Sequence, residues 1–159
     1  MQWKDLPSDA PPAVAAFVKT AESGAVGREA LTEEAERLTG LRMLDDGSLN
    51  NEEIGLMLRT LVAWKLTQGH SDNMPRPMPD EIGYVVLGHG YGAEEHWRLE
   101  RGGDVQAFVN KRVPRGERVW VMACETTNSR NIAALEGKEL VSQGLSAEVK
   151  PRPTGWKKA

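Results

Sequence analysis

Ile82-Gly83-Tyr84-Val85-Val86-Leu87-Gly88-His89-Gly90 and Arg118-Val119-Trp120-Val121-Met122-Ala123-Cys124 decide how this chain is read. Each is a short apolar run, the pattern of a strand covered on both faces. Each leads to a residue able to act as a base or a nucleophile. The first delivers a histidine and the second delivers the sole cysteine of the protein. Laid side by side and parallel, the two strands would bring His89 and Cys124 to one edge of a sheet. Ligands and active sites collect at the carboxyl ends of parallel strands. A Cys/His pair there is a candidate thiol nucleophile with its base.

The residues between the two runs leave room for a small hairpin and a crossover helix. The first strand spans 82–87 and gives way to a glycine-flanked loop, Gly88-His89-Gly90-Tyr91-Gly92. A hairpin closes at Gly102-Gly103. Asp104 then caps a short helix through Val113, with Val105, Phe108, Val109 and Val113 on one side. Pro114-Arg115-Gly116-Glu117 makes a turn into the second strand. After Cys124, Asn128 or Ser129 starts a helix carrying Ile132, Leu135, Leu140 and Val141 that stops at Gly144, and a last short strand is expected at 147–149. Strands alternating with helices point to a parallel sheet.

The first half reads as helical. Ser8 or Asp9 caps a helix whose first turn holds Pro11 and Pro12, and Val14, Phe17, Val18 and Ala21 share one face. A second helix covers about 28–38 and stops at Gly40, with Leu31, Ala35 and Leu38 as its stripe. The third starts at Asn50 or Asn51. Glu52 and Glu53 suit the positive end of its dipole, Ile54, Met57, Leu58, Leu61 and Trp64 or Lys65 form its stripe, and Gly69 ends it. Pro75, Pro77 and Pro79 then break the periodicity, so 70–80 reads as an extended linker. The expected organisation is a helical region over 1–69, this linker, an α/β region over 81–150 and a basic tail over 151–159.

Of the 159 residues, 40% are apolar and 27% charged, enough for a packed core in one soluble domain. The net charge of -3 argues against a nucleic-acid binder, which carries a basic patch. No apolar run reaches a membrane-spanning length, and the N-terminus lacks the charged and apolar regions of a secretory signal. A lone cysteine excludes an internal disulfide and a Cys-based zinc site, and fits a reducing cytoplasm. No cofactor is expected. Glu94, Glu95 and His96 lack the spacing of a helical metal motif and read as a polar loop; a site using His89 and His96 is the third-ranked reading. The glycines around His89 lack the Gly-Lys-Ser/Thr ending of a phosphate loop.

An apolar strand ending in His89-Gly90, then one ending in Ala123-Cys124, with hairpin and helix between, resembles the caspase-like cysteine peptidases: caspases, legumains, gingipains, clostripain, separase and bacterial CHAT-type proteases. The resemblance covers about 81–149. It implies a small, mostly parallel sheet with flanking helices behind the helical N-terminal half. It implies Cys124 as nucleophile, His89 as the group that protonates the leaving amine, and the backbone N–H groups of Gly90 and Cys124 as an oxyanion hole. It implies a peptide or protein substrate. The helical first half departs from the family, which places strand–helix units there. The competing reading is a non-catalytic interaction module, or a degenerate caspase-like domain of the toxin- or adhesin-associated bacterial type. Trp3, Trp64, Trp97 and Trp156 would then contribute to a surface for a protein partner.

Overall fold

In the computed structural model the described residues are 11–66, 81–91, 97–125 and 136–144, with the backbone alone described at 123–125 and 136–138. They form α1 (Pro12–Ser23), α2 (Arg28–Thr39), β1 (Arg42–Asp45), α3 (Asn51–Leu66), β2 (Ile82–Tyr91), β3 (Arg98–Leu99), β4 (Gly103–Asp104), α4 (Val105–Arg112), β5 (Arg118–Glu125) and β6 (Glu136–Val141). The fold class is α/β.

Local chemistry sets the helix ends. Pro12 opens α1, where a missing N–H costs nothing. α2 stops at Gly40, whose left-handed backbone lets its N–H reach the Glu36 carbonyl at 2.9 Å. α3 begins with a reciprocal cap. Asn50 Oδ1 accepts the Glu53 N–H at 2.8 Å, and Glu53 Oε1 accepts the Asn50 N–H at 2.9 Å. Asp104 Oδ2 accepts the Ala107 N–H at 2.9 Å and so starts α4.

The sheet is mixed, which corrects the expectation of a mostly parallel one. Its order is β4-β3-β2-β5-β6, with β1 also paired to β2. β1–β2 and β2–β5 are parallel, whereas β2–β3, β3–β4 and β5–β6 are antiparallel. Two segments depart from the sequence expectation, and the first makes the rim of the sheet antiparallel. Residues 136–141 are not helix but the rim strand β6, paired with β5 alone among the described strands. Arg42–Asp45 is not a connection between helices but strand β1, so the N-terminal half is not purely helical and shares the sheet with the second half. The strand expected at 147–149, the first-helix caps Ser8 and Asp9, the Gly69 stop and the proline-rich 70–80 lie outside the described residues.

Both faces of the sheet are covered. On one side α1, α2 and α3 bury Val14, Phe17, Leu31, Ala35, Ile54, Met57, Leu58 and Leu61 against Met43, Val85, Leu87 and Met122. On the other, α4 sets Val105, Phe108 and Val109 against Tyr84, Val86, Val119 and Val121. β2 therefore runs buried from Ile82 to Gly90, as a continuous apolar strand between two layers should. α3 is enclosed around most of its circumference, with Glu53, Arg59 and Thr60 buried beside its apolar residues. Glu36 is half-buried and accepts the Met43 N–H at 3.0 Å, which ties α2 to β1. Burial pushes its carboxyl above the usual carboxylate range, partly offset by that hydrogen bond and by the Arg42 charge.

Candidate functional site

Three parallel strands, β1, β2 and β5, point their carboxyl ends the same way, and the N-terminus of α3 arrives beside them. β2 and β5 are immediate neighbours. Their register sets Val86 beside Val121, Gly88 beside Ala123 and His89 beside Cys124. The two residues singled out from the sequence thus occupy matching backbone positions on adjacent strands. The thiol of Cys124 lies outside the described side chains.

His89 is a strand residue rather than the tip of a loop, because β2 continues through Gly90 to Tyr91. The expected loop is a strand because its second edge changes neighbour at this point. Along residues 84–87 that edge is occupied by β1, and at Gly90 and Tyr91 by β3. In the gap, the chain leaving β1 stands in for a strand. The Asp46 N–H donates to the Leu87 carbonyl at 3.1 Å, and the His89 N–H donates to Ser48 Oγ at 2.8 Å. The Glu100 N–H donates to the His89 carbonyl at 2.8 Å. Every backbone group of this buried stretch needs a partner, and side chains supply what the missing strand does not.

Asp46 organises the gap. Its Oδ1 accepts from the Ser48 N–H and hydroxyl, and its Oδ2 accepts the N–H groups of Arg101 and Gly102 at 3.0 and 3.2 Å. That carboxylate lies where a side chain at position 88 would be. A Cβ on Gly88 would sit 2.5 Å from Asp46 Oδ1. The glycine before the histidine is required by this approach and not by a turn.

His89 is 8% exposed, and its imidazole faces the first turn of α3. Its Nε2 hydrogen-bonds Glu53 Oε1 at 3.0 Å and lies 2.9 Å from Oε2. Glu53 is itself buried, so the pair is shielded from water on both sides. In the sequence Glu53 reads only as an acid suited to the helix dipole. The Asn50-x-x-Glu53 spacing is that of a capping box, which pins the carboxylate at the helix mouth but does not itself point to His89.

Gly90 is flanked by Leu99 of β3 and Glu125 of β5. The backbone groups of His89 point toward β1 and β3, so strand alternation turns the Gly90 N–H toward β5. Service as an oxyanion donor would require that N–H to leave the ladder. Glu94, Glu95 and His96 lie outside the described residues. Among the described residues no group of three His, Cys, Asp or Glu side chains is arranged to hold a metal ion, and no helix is long and apolar enough to cross a membrane.

A cleft of about 470 Å³ opens elsewhere, between α1, the α1–α2 turn and α3. Glu22, Arg28, Leu31, Glu52 and Arg59 are among its lining residues, and His89 is not. Arg59 is buried there in an ion pair with Glu22. Burial lowers its pKa from the usual arginine value, against the opposing pull of Glu22.

Comparison with protein-family models, with curated proteins and with solved structures found no match.

Proposed function

We propose that the chain is a cysteine hydrolase of caspase-like type, acting on a peptide or another acyl bond, with Cys124 as nucleophile and His89 as its base. The observation that carries this reading is the register of β2 on β5, in which His89 and Cys124 are partners at the carboxyl ends of adjacent parallel strands. The chemistry follows from the residue types. The imidazole takes the thiol proton, and the thiolate adds to the substrate carbonyl. The tetrahedral intermediate collapses to an acyl-enzyme as the imidazolium protonates the leaving group. Water, deprotonated by the same imidazole, then releases the acid. A peptide or protein substrate and a caspase-like ancestry belong to this proposal.

One observation favours the second reading, a non-catalytic interaction module. His89 and Glu53 are both buried, and Glu53 also caps α3. A buried pair of that kind can fasten a helix to a sheet without taking part in any chemistry.

The rate of Cys124 alkylation by iodoacetamide across pH, in the folded wild type and in His89→Ala, separates the two. Rapid labelling near neutral pH that slows in the variant supports a thiolate held by the imidazole. Labelling only after unfolding, or identical profiles, gives the lead to the interaction module.

A further inference from the structure

We infer that Glu53 is a positioning residue for His89, setting which ring nitrogen carries the proton and so which one faces the chemistry. The inference rests on the cysteine-hydrolase reading and adds a third member to its dyad.

An ionised carboxylate can only accept hydrogen bonds. Both oxygens of Glu53 lie within 3.0 Å of Nε2, so the ring meets it through an Nε2–H. The neutral ring then carries its lone pair on Nδ1. That nitrogen is the one able to take the Cys124 proton. When it does, the resulting imidazolium keeps its Nε2–H on Glu53, whose negative charge faces it in a site largely closed to water. No proton passes to the glutamate.

Glu53 is also well suited to hold this geometry. Its Oε1 is fixed by the Asn50 N–H, and its own N–H by Asn50 Oδ1, so the carboxylate cannot swing away from the helix mouth. Opposite, the ring's own backbone is held by Ser48 and Glu100. Of the other acids in that frame, Asp46 is turned to the Arg101 and Gly102 amides and to Ser48, and Glu100 is exposed. The positioning role therefore falls to Glu53 alone among the described acids around His89.

Glu53→Ala tests the idea, because it takes both carboxylate oxygens away from Nε2. The readouts are the imidazole ¹⁵N shifts of His89, which report the tautomer, and the pH profile of Cys124 alkylation. We expect Nε2–H in the wild type, a mixture of tautomers in Glu53→Ala, and labelling near neutral pH slowed roughly tenfold or more, as wrong-tautomer variants of catalytic triads show. Leu61→Ala, farther along α3, should lower stability without moving the profile. If Glu53→Ala does not fold, Glu53→Gln is read instead: it keeps the Oε1 acceptor for the Asn50 N–H and for Nε2–H and removes the charge, so it should hold the Nε2–H tautomer and still label more slowly than wild type. Unchanged tautomer and labelling in the Glu53 variant, with His89→Ala still slow, overturn the positioning role and leave the hydrolase reading standing. Labelling of wild-type Cys124 only on unfolding removes the hydrolase reading, and the role goes with it whatever the tautomer.

Discussion

The carboxylate of Asp46 fills the volume that a side chain on Gly88 would need. From there it reaches the backbone of the β3–β4 turn through Arg101 and Gly102. One acidic residue therefore joins the end of β1, the middle of β2 and the hairpin. Gly88→Ala should force this carboxylate out and destabilise the fold by about 1–3 kcal/mol, the usual result of overpacking a filled site. Urea denaturation measures it. In an Asp46→Ala background the same substitution should cost clearly less, because the obstructing atoms are gone.

Asp46→Ala has its own signature. It removes the acceptor for three backbone N–H groups, those of Ser48, Arg101 and Gly102, and should cost about 1–3 kcal/mol in all, because these donors are partly open to water. The loss should be local as well as global. Amide exchange at Arg101 and Gly102 should accelerate more than exchange in the centre of β5, as measured by hydrogen exchange followed by NMR.

The cap of α3 offers a separate test. Asn50→Ala removes Oδ1, the acceptor of the Glu53 N–H, and should cost about 0.5–2 kcal/mol in chemical denaturation. Asn50→Asp retains that acceptor and should keep most of the stability.

Inside the helix layer, Leu61 is fully buried on α3. Leu61→Ala should cost about 2–5 kcal/mol, from lost transfer free energy and an unfilled cavity. A midpoint shift at unchanged denaturant slope would identify a stability effect rather than a change in the unfolded chain.

Glu36 predicts a pH dependence. Its carboxyl is raised in the folded protein by burial, so the folded state holds that proton more tightly than the unfolded chain. Its contribution to stability is then greatest below the usual carboxylate pKa and is lost as pH rises through the folded value. Glu36→Gln retains a carbonyl for the Met43 N–H and has no charge to bury. Relative to wild type its stability should rise between acid and neutral pH and then level off. A flat difference across that interval would falsify the assignment.

Much of this architecture was legible in the sequence, and the exceptions share a cause. Helices α1 to α4 and strands β2 and β5 announce themselves because each buries a broad apolar face. β1 stayed hidden because its four residues include Arg42 and Asp45, charges that usually mark a loop. Arg42 is nevertheless buried, with its guanidinium 5.9 Å from the centre of the Tyr84 ring. β6 was misread because a rim strand needs few apolar residues, and adjacent Leu140 and Val141 mimic a helical stripe. At the candidate site the pairing of His89 with Cys124 followed from the two apolar runs. Glu53 did not, since a contact from helix to sheet across the fold leaves no local periodicity. The glycine before His89 reads in the sequence as part of a loop; its role is to admit Asp46, which no local pattern announces.

The β1–α3–β2 connection carries a last consequence for how the protein can be divided. β1 and α3 belong to the first half of the chain, yet one lies in the sheet alongside β2 and the other caps its His89 end. The two halves are thus interlocking pieces with no seam between them. A backbone cut between α3 and β2 should leave two fragments that stay together without a covalent bond, and each should be poorly soluble when made alone. Mixed during refolding, they should reconstitute one protein, making this chain a natural candidate for a split reporter.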